Sequence, residues 1–303
     1  MMIQNIGLDI GRGYVKAYSK VGEMVKQCCF KSVVGIGREL DFSLYENPIY
    51  VEVNGENYFA GMLAEKEGYT PTRNSRDSKT SVTVEKLMCA ALNEVAIEDD
   101  VKLMIGVPNK LFKKVILNEV IEKYKDKTIK IKDKIQGGYK NINILDVKIF
   151  REGDAALLWE VKDKNKNDKP QAMVTVGFRT TELSYFDIGL KFNDKRSKTI
   201  ELGNRDALVF VQKQLEDKGI MKDLHEIDSS KDYDTLKKIA YDNLAERISQ
   251  DIEDNWINLN EMDVYVAGGT ALNMNFDKTF KVVDEPQMTT AKGLYLLATR
   301  VFK

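Results

Sequence analysis

The sequence predicts an α/β protein built from two related halves, on three observations. Segments of strand period and helix period alternate along the whole chain. The opening strand, glycine turn and second strand recur 166 residues later, placing Leu8 on Val174, Ile10 on Val176 and Gly11 on Gly177. The charge-rich stretch Lys162–Lys169 (KDKNKNDK) separates two half-chains of similar size, as a solvated connection does. At 303 residues the chain is long enough for about two domains.

The elements follow in order. Ile3–Ile10 alternates like a strand, turns at Gly11-Arg12-Gly13 and continues as Tyr14–Ser19, a hairpin signature. Short strands are expected at Val25–Lys31, Ile49–Val53 and Glu56–Ala60, the last two joined by Asn54-Gly55, a strong hairpin marker. Leu87, Ala90, Ala91, Glu94 and Val95 recur at helical spacing, which predicts a helix over Val82–Ile97. Lys102–Val107 reads as a buried strand stopped by Pro108. Leu111–Tyr124 reads as an amphipathic helix with Leu111, Val115, Val120 and Ile121 on its apolar face. Alternating strands around Gly137-Gly138 precede a helix over Gly153–Val161.

In the second half, Ala172–Val176 and Thr180–Phe186 form the repeated hairpin around Gly177-Phe178-Arg179. A helix is expected over Asp206–Gln214. Another is expected over Tyr233–Asn255, where Leu236, Ile239, Ala240, Leu244, Ile248 and Ile252 make a stripe. Strand Asp263–Ala267, the turn Gly268-Gly269 and a helix from about Thr270-Ala271 come next. A last helix, Thr289–Phe302, starts after Pro286 with the cap pair Thr289-Thr290.

Composition excludes several functions. Lys and Arg number 46 against 47 Asp and Glu, a net charge of −1, which argues against direct nucleic-acid binding of the usual basic kind. The single His225 leaves no multi-histidine metal site, and no Ser-His or Cys-His pair that does not use that residue. Cys28, Cys29 and Cys89 suit reduced thiols better than a disulfide framework. There is no apolar run of transmembrane length, and the opening MMIQNIGLDIG lacks the pattern of a signal peptide. A cytoplasmic protein without membrane contact is expected.

Three glycine-bearing turns follow predicted strands: Gly11-Arg12-Gly13, Gly177-Phe178-Arg179-Thr180 and Gly268-Gly269-Thr270. Such turns let backbone N–H groups approach phosphate oxygens closely. Neither GxxxxGK[ST] nor GxGxxG occurs, so P-loop and Rossmann readings fail. Each turn by itself is equally compatible with an ordinary hairpin.

In order and spacing, the turns resemble the actin-like ATPase superfamily, closest to the ParM/Alp-type plasmid-segregation actins and similar to archaeal actins. The family's first phosphate loop, D-x-G-x-x-x-x-K, is matched by Asp9 through Lys16. Its second phosphate loop is similar to Thr175-Val176-Gly177-Phe178-Arg179-Thr180-Thr181-Glu182, and its adenosine motif to Val264–Ala271. Softer matches lie at Lys31–Gly35, Tyr58–Gly61, Lys79–Asn93, Gly106-Val107-Pro108 and Phe150–Ala156.

The resemblance implies a duplicated two-lobe actin-like (ribonuclease H-like) fold with a nucleotide cleft between the lobes. The lobes are expected at 1–161, with the C-terminal helix 289–303 packing back on it, and 170–288. It implies ATP or GTP as cofactor with Mg2+, held through water by Asp9. Gly11, Arg12, Gly13, Lys16, Gly177, Phe178, Arg179 and Thr180 would surround phosphates. Gly268, Gly269, Thr270 and, on the long helix, Glu246 would face the nucleoside. Glu152 matches the residue that positions attacking water, although a glutamate at a helix start is also favoured by the helix dipole. One departure stands out: Thr175 occupies the place of an aspartate that helps hold magnesium or water, with Glu182 at a second acidic position.

The function implied is a filament-forming nucleotide hydrolase whose polymer drives plasmid segregation through a DNA-bound adaptor protein. Two alternatives are a sugar kinase of the same superfamily and an assembly protein that binds nucleotide with little turnover because of Thr175.

Overall fold

The computed structural model of the protein describes residues 2–75, 78–164 and 168–302. Of the polar loop, Asn165–Asn167 therefore lie outside the described residues. Contacts gather the chain into two compact units: unit 1 is Met1–Ala155 with Thr290–Lys303, and unit 2 is Ala156–Thr289. The division falls ahead of the polar loop, which belongs to unit 2.

Unit 1 opens with β1 (Gln4–Ile10), β2 (Tyr14–Val21), β3 (Met24–Lys31) and β4 (Val33–Ile36). These lead to β5 (Ile49–Val53), β6 (Glu56–Ala60), the short helix α1 (Met62–Glu67) and β7 (Tyr69–Arg73). Then come α2 (Val82–Val95), β8 (Asp100–Val107), α3 (Lys114–Tyr124), β9 (Lys127–Asp133) and β10 (Tyr139–Arg151). The strands form one sheet in the order β3-β2-β1-β8-β10-β9-β5-β6-β4-β7, with β1, β8 and β10 parallel at its centre. Val84, Leu87, Met88, Ala91, Leu92 and Val95 of α2 bury one face of this sheet together with Ile6, Leu8, Leu103 and Val147.

Helix α4 (Glu152–Glu160) carries the chain into unit 2. There β11 (Gln171–Val176), β12 (Thr181–Asp187), β13 (Lys191–Phe192) and β14 (Lys198–Ile200) precede α5 (Asn204–Glu216), α6 (Leu224–Ser229) and α7 (Asp234–Asn255). β15 (Asp263–Ala267) and β16 (Phe280–Val282) complete a sheet ordered β13-β12-β11-β15-β16, with β14 paired to β12. The last helix, α8 (Thr289–Val301), returns the chain to unit 1. It lies so close to β1 that a Cβ on Gly7 would stand 2.2 Å from the Ala291 carbonyl oxygen. Further along α8, a Cβ on Gly293 would meet the Ala155 carbonyl oxygen at 1.8 Å, so only glycine fits.

The two hairpins are the same object twice. Asp9 pairs with Lys16 and Ile10 with Val15 across β1–β2. In β11–β12, Thr175 pairs with Glu182 and Val176 with Thr181, every partner displaced by the sequence offset of 166. The turns close alike: the Gly11 N–H donates to the Tyr14 carbonyl at 3.0 Å, and the Gly177 N–H to that of Thr180 at 2.9 Å.

Three expected helices differ in detail. α3 starts at Lys114, because Leu111 ends a separate 3-10 turn over Asn109–Leu111. This rotates the apolar face, leaving Val115 66% exposed while Ile116 and Leu117 join Val120 and Ile121 against the core. On α7, Ile239 is 47% exposed, and Tyr241 and Ala245 complete the buried stripe instead. The helix expected from Thr270 is only a 3-10 turn, Gly269–Asn273. After it Met274 and Phe276 reach the core alternately, the period of extended chain, which leaves no helical face to bury.

Candidate functional site

In unit 1 the first glycine turn sits at the C-terminal end of β1 and is anchored by its carbonyl groups. The Gly11 carbonyl accepts from Ser32 Oγ at 2.6 Å and Asn74 Nδ2 at 3.0 Å. The Gly13 carbonyl accepts from the Ser32 N–H at 2.9 Å. A trans peptide sets its N–H opposite its C=O, so these bonds turn the Arg12 and Tyr14 N–H groups to the other side.

Asp9 and Lys16, cross-strand neighbours below the turn, form an ion pair with Oδ2 and Nζ 2.8 Å apart. The two side chains are only 8% and 13% exposed. Burial pulls the Lys16 ammonium toward its neutral form. The Asp9 charge and hydrogen bond, with smaller attractions from Cys29 and Glu152, outweigh it and hold its pKa above the usual lysine value. Lys16 is therefore a fixed cation beside the turn.

Glu152, the first residue of α4, lies against Gly106 at the end of β8, where its Cγ comes within 3.0 Å of the space a Cβ would take. Its Oε1 is 3.6 Å from Lys79 Nζ. Unit 1 thus gathers Asp9, Gly11, Lys16 and Glu152 at one end of its central strands. Lys79, Ser32 and Asn74 belong to the same constellation; the softer family matches include Lys79 and Ser32 but give neither a contact to the turn, and Asn74 lies outside them. Their bonds to the turn span 69, 21 and 63 residues of chain, and no periodicity encodes such contacts.

Unit 2 repeats the design with other partners. The Gly177 carbonyl accepts from the Asn204 N–H at 3.1 Å and from Thr270 Oγ1 at 3.0 Å, and the Phe178 carbonyl accepts from the Arg205 N–H at 2.8 Å. The N-terminal amides of α5 thereby hold the turn, and Thr270 ties it to the Gly268 turn. Gly268 has φ +99, and a Cβ there would lie 2.2 Å from the Val176 carbonyl oxygen, so glycine is required. The Phe178 ring packs on the unit 2 core, so only its backbone is presented by the turn. Arg179 is half-buried, and Glu246 is exposed on α7. No hydrogen bond or ion pair joins Glu246 to either turn among the described residues.

The cross-strand pair of unit 2 carries different chemistry. Thr175 Oγ1 is buried without a hydrogen-bond partner. Glu182, opposite, is buried and accepts from Thr199 Oγ1 with both carboxylate oxygens at 3.0 Å. Where unit 1 sets acid against lysine, unit 2 sets a neutral hydroxyl against an acid.

Residues 7–153 match the family of actin-like proteins through its N-terminal domain. The first half of the chain is similar to the N-terminal domain of actin-like proteins, and the chain as a whole has the actin-like fold. Among solved structures, the chain is similar to Ta0583, an archaeal actin homolog, at 18% identity and a TM-score of 0.82, with 99% of each chain covered. Ta0583 has also been solved in complex with ADP. A 15-stranded ParM filament from Clostridium botulinum gives 19% identity and a TM-score of 0.82, covering 99% of this chain and 100% of that one. ParM of Bacillus thuringiensis, solved with ATP, gives 14% identity and a TM-score of 0.68, with 98% of each chain covered. At these identities the likeness is one of fold. No curated protein sequence matches the chain.

Proposed function

We propose that this protein binds ATP or GTP with Mg2+, polymerises on binding it and hydrolyses it. The polymer would move plasmid DNA in the cytoplasm through a DNA-bound adaptor. The observation that carries this reading is the repeated hairpin. Both copies present a glycine turn whose carbonyls are anchored and whose amides face the other way, next to charged groups that are otherwise costly to bury.

The donor set suits a magnesium nucleotide. Asp9 would hold the metal's water shell, and magnesium, when bound, neutralises charge on the phosphates. Lys16, kept cationic by Asp9, would meet the terminal phosphates. The backbone N–H groups of Arg12 and Gly13, and those of Phe178, Arg179 and Thr180, would supply donors, while Gly11 and Gly177 close the turns and let the backbone approach the phosphates. Glu152 would orient water by accepting its proton in a hydrogen bond. Gly268, Gly269 and Thr270 would border the nucleoside, with Glu246 further out on α7. The two units would act as the two lobes. Self-assembly draws support from the ParM filament of similar fold, and nucleotide binding from the similar proteins solved with ADP and ATP.

Thr175 favours a second reading, assembly on nucleotide with slow turnover, because its neutral hydroxyl carries none of the charge an aspartate brings. Light scattering or pelleting with ATP or GTP and Mg2+, run beside phosphate release, separates the two. Polymer with turnover supports the first reading and polymer without turnover the second. Absence of nucleotide-dependent polymer refutes both.

A further inference from the structure

Lys79 precedes α2 and is 8% exposed, yet its ammonium lies on the chain's candidate machinery rather than in solvent. Nζ donates to the Ile10 carbonyl at 3.0 Å, in a bond buried from solvent. The same nitrogen stands 3.6 Å from Glu152 Oε1. Its backbone is fixed as well, because Tyr124 of α3, itself buried, donates its hydroxyl proton to the Lys79 carbonyl at 2.8 Å. A buried ammonium is costly unless it is hydrogen-bonded and its charge is balanced; here the Ile10 carbonyl accepts a hydrogen bond and the Glu152 carboxylate, 3.6 Å away, balances the charge.

The position of these partners matters more than the pairing. Ile10 lies between Asp9 and Gly11, so its carbonyl belongs to the peptide that opens the turn. That peptide is held on both sides: its oxygen by Lys79, and its N–H, that of Gly11, by the Tyr14 carbonyl. Glu152 starts a different element, α4, and Lys79 joins that element to the end of β1. A single ammonium therefore sets the spacing between the first turn and Glu152. Because its hydrogen bond goes to Ile10 and its charge faces Glu152, Lys79 acts through them.

We propose that Lys79 is a positioning residue, clamping the first phosphate turn and Glu152 in register for water attack. The inference rests on the hydrolase reading and adds to it a residue outside the phosphate motifs. Lys79→Met removes the charge and keeps the stem; Lys79→Arg keeps the charge. Tyr124→Phe loosens the lysine from behind.

Two measurements test it on the full chain. In protein without nucleotide, hydrogen exchange of the amides in 10–14 should rise about tenfold in Lys79→Met, with α5 and α7 unchanged. With ATP or GTP and Mg2+, kcat should fall roughly tenfold to a hundredfold while nucleotide Kd stays within about threefold. Lys79→Arg should recover most of both, and Tyr124→Phe should give a smaller loss of the same kind. Exchange at wild-type rates in Lys79→Met overturns the clamp. So does a kcat loss matched by an equal loss of nucleotide affinity. If the wild-type chain releases no phosphate, the hydrolase reading fails, and the exchange measurement alone decides whether Lys79 holds the turn.

Discussion

Replacing Asp9 by Ala strands the Lys16 ammonium in a nearly water-free position, and the cost can be worked from the pair's geometry. At 2.8 Å and an effective dielectric of about 20, the attraction is about 6 kcal/mol. Part of that offsets the desolvation of both ions, which leaves about 3–5 kcal/mol as the cost of removing one partner. For a chain of this size the expected fall in Tm is roughly 6–20 °C. Asp9→Ala with Lys16→Met removes both charges and should recover to within about 1–2 kcal/mol of wild type. Urea unfolding followed by circular dichroism gives all the arms of this cycle. A loss under about 1 kcal/mol in Asp9→Ala, or a double variant as unstable as the single one, would refute the buried-pair argument. Asp9→Asn keeps an acceptor for Lys16, so loss of nucleotide-dependent pelleting in that variant reports on the ligand rather than on folding.

Other expectations follow from the same geometry. Gly268→Ala must place a Cβ against the Val176 carbonyl at a positive φ, and should destabilise unit 2 by about 2–4 kcal/mol in urea unfolding. Burial raises the pKa of Glu65, but its bonds to Lys31 and Arg73 prevail and hold it below the usual glutamate value. A depressed pKa contributes stability that is present above the unfolded pKa and lost as pH falls through the folded one. Glu65→Gln should therefore flatten the acid limb of the stability profile below about pH 4.5. Thr175→Asp should raise phosphate release relative to wild type, and an unchanged rate would count against the role given to that position.

Much of the architecture can be read in the sequence because it depends on local period. The hairpin repeat is visible as an offset of 166, and the structure keeps that offset down to the pairing of Thr175 with Glu182. The anchors of the turns escape such reading, since Ser32, Asn74 and Lys79 reach Gly11 and Ile10 across folded distance rather than along a period. Helix starts are misjudged where a 3-10 turn displaces the face, as at Leu111, and an apolar residue at helical spacing can still point outward, as Ile239 does. Two- and three-residue strands such as β13, β14 and β16 are too short to show an alternation.

The membership of α8 in unit 1 has a consequence for biosynthesis. The helix that covers Gly7 on β1 is made only after all 134 residues of unit 2. At about 5–20 residues per second, the synthesis of unit 2 alone adds roughly 7–27 s to the time β1 waits for that cover. During this interval the strand that carries Asp9 is an incomplete core, while unit 2, contiguous in sequence, has everything it needs to fold. The order of folding on the ribosome is thus expected to run against the order of synthesis, with the first unit closing last.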